Sequence, residues 1–450
     1  MERDLSAWLK IWKDEESRKP LIIRGARQVG KTWLVNDFGK KSFDNHVEVN
    51  FEYQPEIKSC FLTLSPYEIL QQLELSLNVD IVPGKTLLFL DEIQVCPQAI
   101  KALRYFYEKM PDLHVIAAGS LLEFVMETHE ISMPVGRVQN VHLFPMSFGE
   151  YLSACGETKL RTWLKSISLR DTIPEAIHEK SLKLLRDYLY IGGMPEAVAS
   201  WLKTGKLSKT DLIHQALLQN YKQDFGKYGK RVNLGLLEKI FTKIPGTVGN
   251  KFKYSAIDRD VNSRDIKNSL SRLVKAHIVH KVNSSSGTGL PLAAHSNEKI
   301  FKILFLDIGL LQNAMGISSA TYMAENLLAF YKGLVAEQFV GQQLLTLREH
   351  FAEPELHYWQ REAKGSSAEI DYLWQKEELI LPVEVKAGKT GTLKSLRLFI
   401  SEKNSRFGIR FSLHPLSFND SVLSIPLYAI EALPELTEQV AQSLQHPLQK

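Results

Sequence analysis

Residues Gly25-Ala26-Arg27-Gln28-Val29-Gly30-Lys31-Thr32 fit the pattern G-x-x-x-x-G-K-[ST], directly after the apolar run Leu21 to Arg24 and directly before the helical segment Trp33 to Phe38. This feature constrains the fold most, because it demands a strand, a curled loop and a helix in that order. Gly25 and Gly30 let the backbone curl so that successive N–H groups point at phosphates, and the helix N-terminus adds partial positive charge. Lys31 is expected to reach the β and γ phosphates of ATP, and Thr32 to offer a hydroxyl to Mg²⁺.

A second element supports the first. Thr86 to Leu90 is an apolar strand ending in Asp91-Glu92, the Walker B arrangement. Asp91 is placed to hold Mg²⁺ through its water shell and Glu92 to polarise the attacking water. Ser120 ends the next apolar strand, where it would sense the γ-phosphate or orient water; a turn-forming serine is the competing explanation. Arg137, in Pro134-Val135-Gly136-Arg137, is a candidate for stabilising transition-state charge from its own or a neighbouring chain, against a surface arginine in a loop.

Around these motifs, residues 1–150 alternate short apolar runs with helical patterns, as strands of a parallel sheet covered by helices do. The strand candidates are Pro20 to Arg24, His46 to Phe51, Thr86 to Leu90 and Leu113 to Ala118. Residues 151–207 have a helical pattern, broken at Gly192-Gly193-Met194-Pro195, and form an expected lid. Residues 208–300 suggest helices and a hairpin in winged-helix order. The amphipathic segment Asp265 to Lys275 turns Ile266, Leu270 and Leu273 inward and Arg264, Lys267, Arg272 and Lys275 outward, a face that suits DNA or plain solvent.

With 450 residues, 44% hydrophobic and 24% charged, the chain has the composition of a soluble multi-domain protein. A net charge of +4 permits a nucleic-acid partner without proving one. Cys60, Cys96 and Cys155 lie far apart, with no pairing that suggests a disulfide framework or zinc site. No apolar run nears the ~20 residues that span a bilayer, and the N-terminus lacks a signal core, so the expected place is the cytoplasm, with no membrane partner.

Residues 301–440 combine a helix, Gly333 to His350, with strands at Glu355 to Glu362, Ala368 to Trp374 and Leu379 to Lys386; Leu436 to Lys450 is expected as a frayed helix or tail. Side chains alternate along a strand, so Glu384 and Lys386 share a face. A turn centred between Lys376 and Glu377 would set Glu369 opposite Glu384, with Asp371 diagonal to it. Glu369, Asp371, Glu384 and Lys386 would then share one face, with Ile370, Tyr372, Val383 and Val385 on the other. Carboxylates crowded beside a lysine invite a second divalent metal, ligated by Asp371 and Glu384, with the Val385 carbonyl completing the shell, Glu337 adding a carboxylate and Lys386 activating water. The competing explanation is a binding platform whose charges are solvated at an edge.

The motifs RGARQVGKT, LFLDEIQ, AAGSLLEF, PVGRV, LFPMSFGEYL and YIGGMPEAV resemble those of bacterial and archaeal AAA-type ATPases that carry a C-terminal domain of unknown function with a restriction-endonuclease-like core. They run in family order from about residue 20 to about 200, and the resemblance continues weakly to about residue 390. The order of helix acid, hairpin acid and ExK resembles the PD-(D/E)xK core of restriction endonucleases and Holliday-junction resolvases. The expected whole is an α/β chain: P-loop ATPase, helical lid, winged-helix-like segment and nuclease-like end. Its expected function is an ATPase that engages DNA, as a nuclease or as a nucleotide-switched binding protein, with a homo-oligomer needed if Arg137 acts in trans.

Overall fold

The computed structural model describes residues 1–129, 134–229, 232–323, 328–361, 368–387 and 392–445. Five parallel strands form the first sheet: β1 (Leu21–Arg24), β2 (Asn45–Asn50), β3 (Thr86–Asp91), β4 (His114–Ala118) and β5 (Gln139–His142), in the order β2-β3-β4-β1-β5. β3 and β4 lie inside the sheet between helical layers, so every residue in them is buried. β2 lies at an edge and alternates, with Val47 and Val49 inward and Glu48 outward. β5 escapes the sequence pattern because Gln139-Asn140-Val141-His142 holds a single apolar residue.

Helices Phe148–Ala154, Thr158–Lys165, Glu175–Ile191 and Pro195–Thr204 follow. The break at residues 192–195 has two causes. Pro195 occupies the first turn of a new helix, and Gly193 meets the backbone of Met146 so closely that an added Cβ would sit 2.1 Å from its carbonyl oxygen. The Gly193 N–H donates to the buried carboxylate of Asp307 at 2.6 Å, which also accepts from the N–H groups of Gly309 and Leu310 and so caps the helix Ile308–Ala314.

The second sheet has eight strands: β6 (Val279–Ser285), β7 (Ser296–Phe305), β8 (Leu356–Gln360), β9 (Glu369–Lys376), β10 (Leu379–Val385), β11 (Gly408–Ser412), β12 (Ser417–Asn419) and β13 (Val422–Pro426). Their order is β12-β13-β11-β10-β9-β8-β6-β7. The hairpin β6–β7 therefore continues into the C-terminal strands through the parallel pairing of Val282 with Leu356. A boundary at residue 300 falls inside β7, so the winged-helix-like and C-terminal parts share one sheet. The strand expected to reach Glu362 stops at Gln360; residue 362 lies outside the described residues.

The helix Ser263–Lys275 buries Ile266, Leu270 and Leu273 as expected, with Ser269 on the same face. Arg272 is not free to face solvent, because its guanidinium donates to the Tyr228 carbonyl. The C-terminal segment is a packed helix, Leu433–Gln445, burying Leu436 and Val440, not a frayed tail; residues 446–450 lie outside the described residues. One contiguous apolar core runs from Leu5 and Trp12 through one face of the first sheet, the helices that follow it and the second sheet to Val440. A separate core covers the other face of the first sheet.

Candidate nucleotide site and C-terminal acidic face

The phosphate-binding loop connects β1 to the helix Lys31–Ser42, at the carboxyl ends of the parallel strands where ligands of open α/β sheets bind. Gly25 has φ 142°, and an added Cβ would lie 2.2 Å from the Leu143 carbonyl oxygen, so no other residue fits. Lys31 Nζ donates to the Gly25 and Ala26 carbonyls at 3.0 and 2.8 Å, folding back across its own loop. Burial lowers its pKa to about 8 against the opposing pull of Glu92 and Asp91.

Asp91 ends β3. Its Oδ2 accepts from Thr32 Oγ1 at 3.0 Å and from Asn50 Nδ2 at 3.2 Å. Burial, with Glu92 adding repulsion, raises its pKa to about 6. Glu92 has φ 51°, a left-handed conformation costly for a side chain of this size, and Gln94 Nε2 holds its carboxylate at 2.5 Å. The Ser120 hydroxyl is buried and has no hydrogen-bond partner among the described residues. Arg27, Lys31, Thr32, Glu92 and Ser120 line one side of a cleft of about 600 Å³; Pro195, Asn220, Tyr221 and Asp224 line the other. That volume suits a nucleotide.

The structure thus brings together Gly25 to Thr32, Asp91, Glu92 and Ser120, and leaves Arg137 out. Arg137 precedes β5 and lies near the amino ends of the strands, away from the loop, with its Nε on Glu108 at 2.9 Å. A role in its own cleft is excluded by that placement; a role in trans needs a neighbouring copy.

Several site residues escaped sequence reasoning. Arg3, 4% exposed, donates to the Val29 carbonyl at 2.8 Å, the Phe144 carbonyl at 2.7 Å and Glu150 Oε1 at 3.0 Å. Glu150 also forms a capping box with Ser147. LFPMSFGEYL is therefore a brace that fixes the phosphate loop from behind. Asp224 and Tyr221, from the helix Leu207–Asp224, hold Arg27 by its guanidinium (2.5 Å) and its carbonyl (2.8 Å). No local pattern marks such pairs, which lie nearly 200 residues apart.

In the second sheet, the β9–β10 ladder pairs Leu379 with Lys376 and Val383 with Tyr372. One step further sets Asp371, not Glu369, opposite Glu384, because the turn is centred between Glu377, at φ 51°, and Glu378. The expected parity holds in part: Tyr372, Val383 and Val385 are buried in the main core, but an irregularity in the β8–β9 pairing between His357 and Trp359 puts Ile370 in a separate core with Leu373 and Phe399. The Val385 N–H donates to Asp371 Oδ2 at 2.8 Å. Lys386 pairs with Glu384.

The cation among these acids is Lys302, from β7. Its Nζ lies 2.9 Å from Glu337, 2.5 Å from Glu369 and 3.8 Å from Asp371, and the residue is 2% exposed. Those carboxylates hold the ammonium charged despite its burial. Lys302 and Lys386 do not offset the crowding, so burial and repulsion from Asp371 raise Glu337 to about 8 and Glu384 to about 7. Among the described residues, no three His, Cys, Asp or Glu side chains are arranged to hold a metal ion. The sequence did carry a signal here: a lysine inside the apolar run Phe301 to Leu306 needs a buried acid.

Residues 17–152 match the family model of the AAA domain, in line with the parallel sheet and the glycine-rich loop between strand and helix. Residues 182–321 and 332–430 match two domains of unknown function, DUF8612 and DUF4143. No curated protein matches the chain. Similar solved structures include the Walker-type ATPase paby2304 of Pyrococcus abyssi, 14% identical, covering 70% of this chain and 95% of that one with a TM-score of 0.44. Others are the ORC1 protein of Aeropyrum pernix in complex with DNA (14% identity, 69% and 90% coverage, TM-score 0.23) and RuvB of Thermotoga maritima (12%, 63% and 90%, 0.30). Overlaps this loose carry no information on ligand or partner. Among the described residues, no helix is long and apolar enough to cross a membrane.

Proposed function

We propose that the chain is an ATP-hydrolysing switch whose C-terminal part binds DNA and does not cut it. The observation that carries the ATPase reading is the contact of Thr32 Oγ1 with Asp91 Oδ2 at 3.0 Å beside the phosphate loop. Hydroxyl and carboxylate meet where an Mg²⁺ ion bound to a triphosphate takes its protein ligands, so both fit that ion, which would neutralise phosphate charge. Lys31 exchanges two carbonyls for phosphate oxygens. A water oxygen bonds to the γ phosphorus as the bond to the β,γ-bridging oxygen breaks, its electron pair leaving with ADP. Glu92 takes the proton of the water, and Ser120 orients it. Measured by calorimetry and phosphate release, Glu92→Gln keeps MgATP affinity and loses turnover; a purified wild-type chain that ignores millimolar MgATP overturns the reading.

The C-terminal face does not fit a divalent ion, because Lys302 already occupies the centre of Glu337, Glu369 and Asp371. No cleavage step is derived through it. Binding is favoured by the neighbouring basic groups: Arg264 and Lys267 are exposed on the helix Ser263–Lys275, and Lys267 lies close enough to Lys281 on β6 to help depress its pKa, after burial. Like charges held together await an anion. Plasmid incubated with Mg²⁺ or Mn²⁺ should stay intact while a DNA fragment shifts on a gel in a salt-sensitive manner. Nicking by wild type that is lost in Glu384→Ala and Lys386→Ala would instead establish a nuclease.

A further inference from the structure

Among the described residues, the one arginine that lines the cleft is Arg27, and its guanidinium is held by the opposite wall. Its guanidinium lies 2.5 Å from Asp224 and 3.7 Å from Glu52, while its carbonyl is pinned by the Tyr221 hydroxyl. Arg27 sits inside the phosphate loop itself, lines the cleft with Lys31, Thr32 and Glu92, and is close enough to Glu92 to feel its charge. It therefore stands on the side of the cleft where the γ-phosphate bond would break.

We infer that Arg27 is the arginine that stabilises the transferring phosphate, acting within its own chain, and that Asp224 holds it back until a triphosphate arrives. The inference rests on the ATPase reading above. A guanidinium presents a planar fork that matches phosphate oxygens better than a single carboxylate, and the γ-phosphate brings more charge than Asp224 does. The exchange strands no buried acid. Lys227 lies 3.6 Å from Asp224 and 3.8 Å from Glu52, so both carboxylates keep a cation when Arg27 leaves.

Asp224 is the last residue of the helix Leu207–Asp224 and opens the short turn Phe225–Lys227. The next residue, Tyr228, receives the Arg272 guanidinium from the basic helix Ser263–Lys275 on its carbonyl. Asp224 thus joins the phosphate loop to the element that carries the basic face. Release of Arg27 frees that end of the helix only when a γ-phosphate is present, because the diphosphate does not extend to the guanidinium.

The test is a double-mutant cycle on the full chain, with kcat, KM and the affinities for ATP and ADP measured for each variant. Arg27→Ala should lower kcat by about 10³-fold, the scale of a lost arginine finger, and erase the preference for ATP over ADP. Arg27→Lys, which retains charge without the fork, should recover only part of the rate and covers the case in which alanine disturbs folding. Asp224→Asn should tighten ATP binding several-fold in wild type and less so in the Arg27→Ala background. Hydrogen exchange at residues 221–229 should rise with a non-hydrolysable ATP analogue and stay low with ADP. If wild type neither binds nor hydrolyses ATP, the ATPase reading fails first. If it hydrolyses ATP while Arg27→Ala keeps its kcat and ATP preference, or Asp224→Asn acts equally in both backgrounds, this inference alone is overturned.

Discussion

The phosphate loop and the C-terminal acidic face contain the same ingredients, a buried lysine beside carboxylates, and use them in opposite ways. Lys31 donates to two carbonyls of its own loop, partners it can exchange for phosphate oxygens, while Asp91 and Glu92 are satisfied by Thr32, Asn50 and Gln94. Lys302 is surrounded by three carboxylates from two elements, Glu337 on a helix and Glu369 and Asp371 on β9. An ammonium with neutral partners is available to an incoming anion. One caged by anions is committed, and its removal leaves uncompensated buried charge.

That contrast can be broken experimentally, and the largest expected effect is at the loop. Glu92→Gln should reduce ATP turnover by about 10²–10⁴-fold with nucleotide affinity retained, the range for loss of a general base; an unchanged rate assigns the base elsewhere. Next, Lys302→Met should destabilise the chain by roughly 3–5 kcal/mol in denaturant unfolding. Should the variant unfold at the wild-type midpoint, the cage is not structural.

The seam between the two regions offers a third test. His142 on β5 and His280 on β6 are buried neutral, with pKa values lowered to about 4 and about 3 by burial, beside His277 and Arg24. The unfolded chain takes up those protons near pH 6.5, so the folded state should lose stability as pH falls below that value, by roughly 3 kcal/mol for each histidine by pH 4. Stability measured from pH 7 to 4 should fall less in His280→Phe than in wild type. Smallest, Lys31→Ala should weaken ATP binding by about 10²-fold, or 2.7 kcal/mol, without moving the unfolding midpoint by more than about 1 kcal/mol. A large stability loss there would make Lys31 resemble Lys302.

What the sequence made legible follows from range. β1, β3 and β4 are short apolar runs, β2 alternates and the loop motif is a local spacing, so strand, turn and helix could be read in place. The alternation of Glu384 and Lys386 against Val383 and Val385 was also legible, since a two-residue change of register preserves it, but the irregular β8–β9 pairing that separates Ile370 from Tyr372 was not. The register itself was not, because one residue of turn position decides whether Asp371 or Glu369 meets Glu384. Least legible were the partners supplied from afar: Arg3 on Val29, Asp224 on Arg27, and Lys302 among acids some 35 to 70 residues later in the chain. Such pairs are fixed by tertiary packing, and nothing in either neighbourhood names the other.

The parallel seam of β6 with β8 makes the C-terminal half a single mechanical plate. Cutting the gene between the two uncharacterised modules would sever hydrogen-bonded neighbours and expose raw strand edges, so fragments expressed separately should aggregate. Any signal passed from the ATPase to this plate must tilt it as a unit, with the basic helix and the acidic face travelling together.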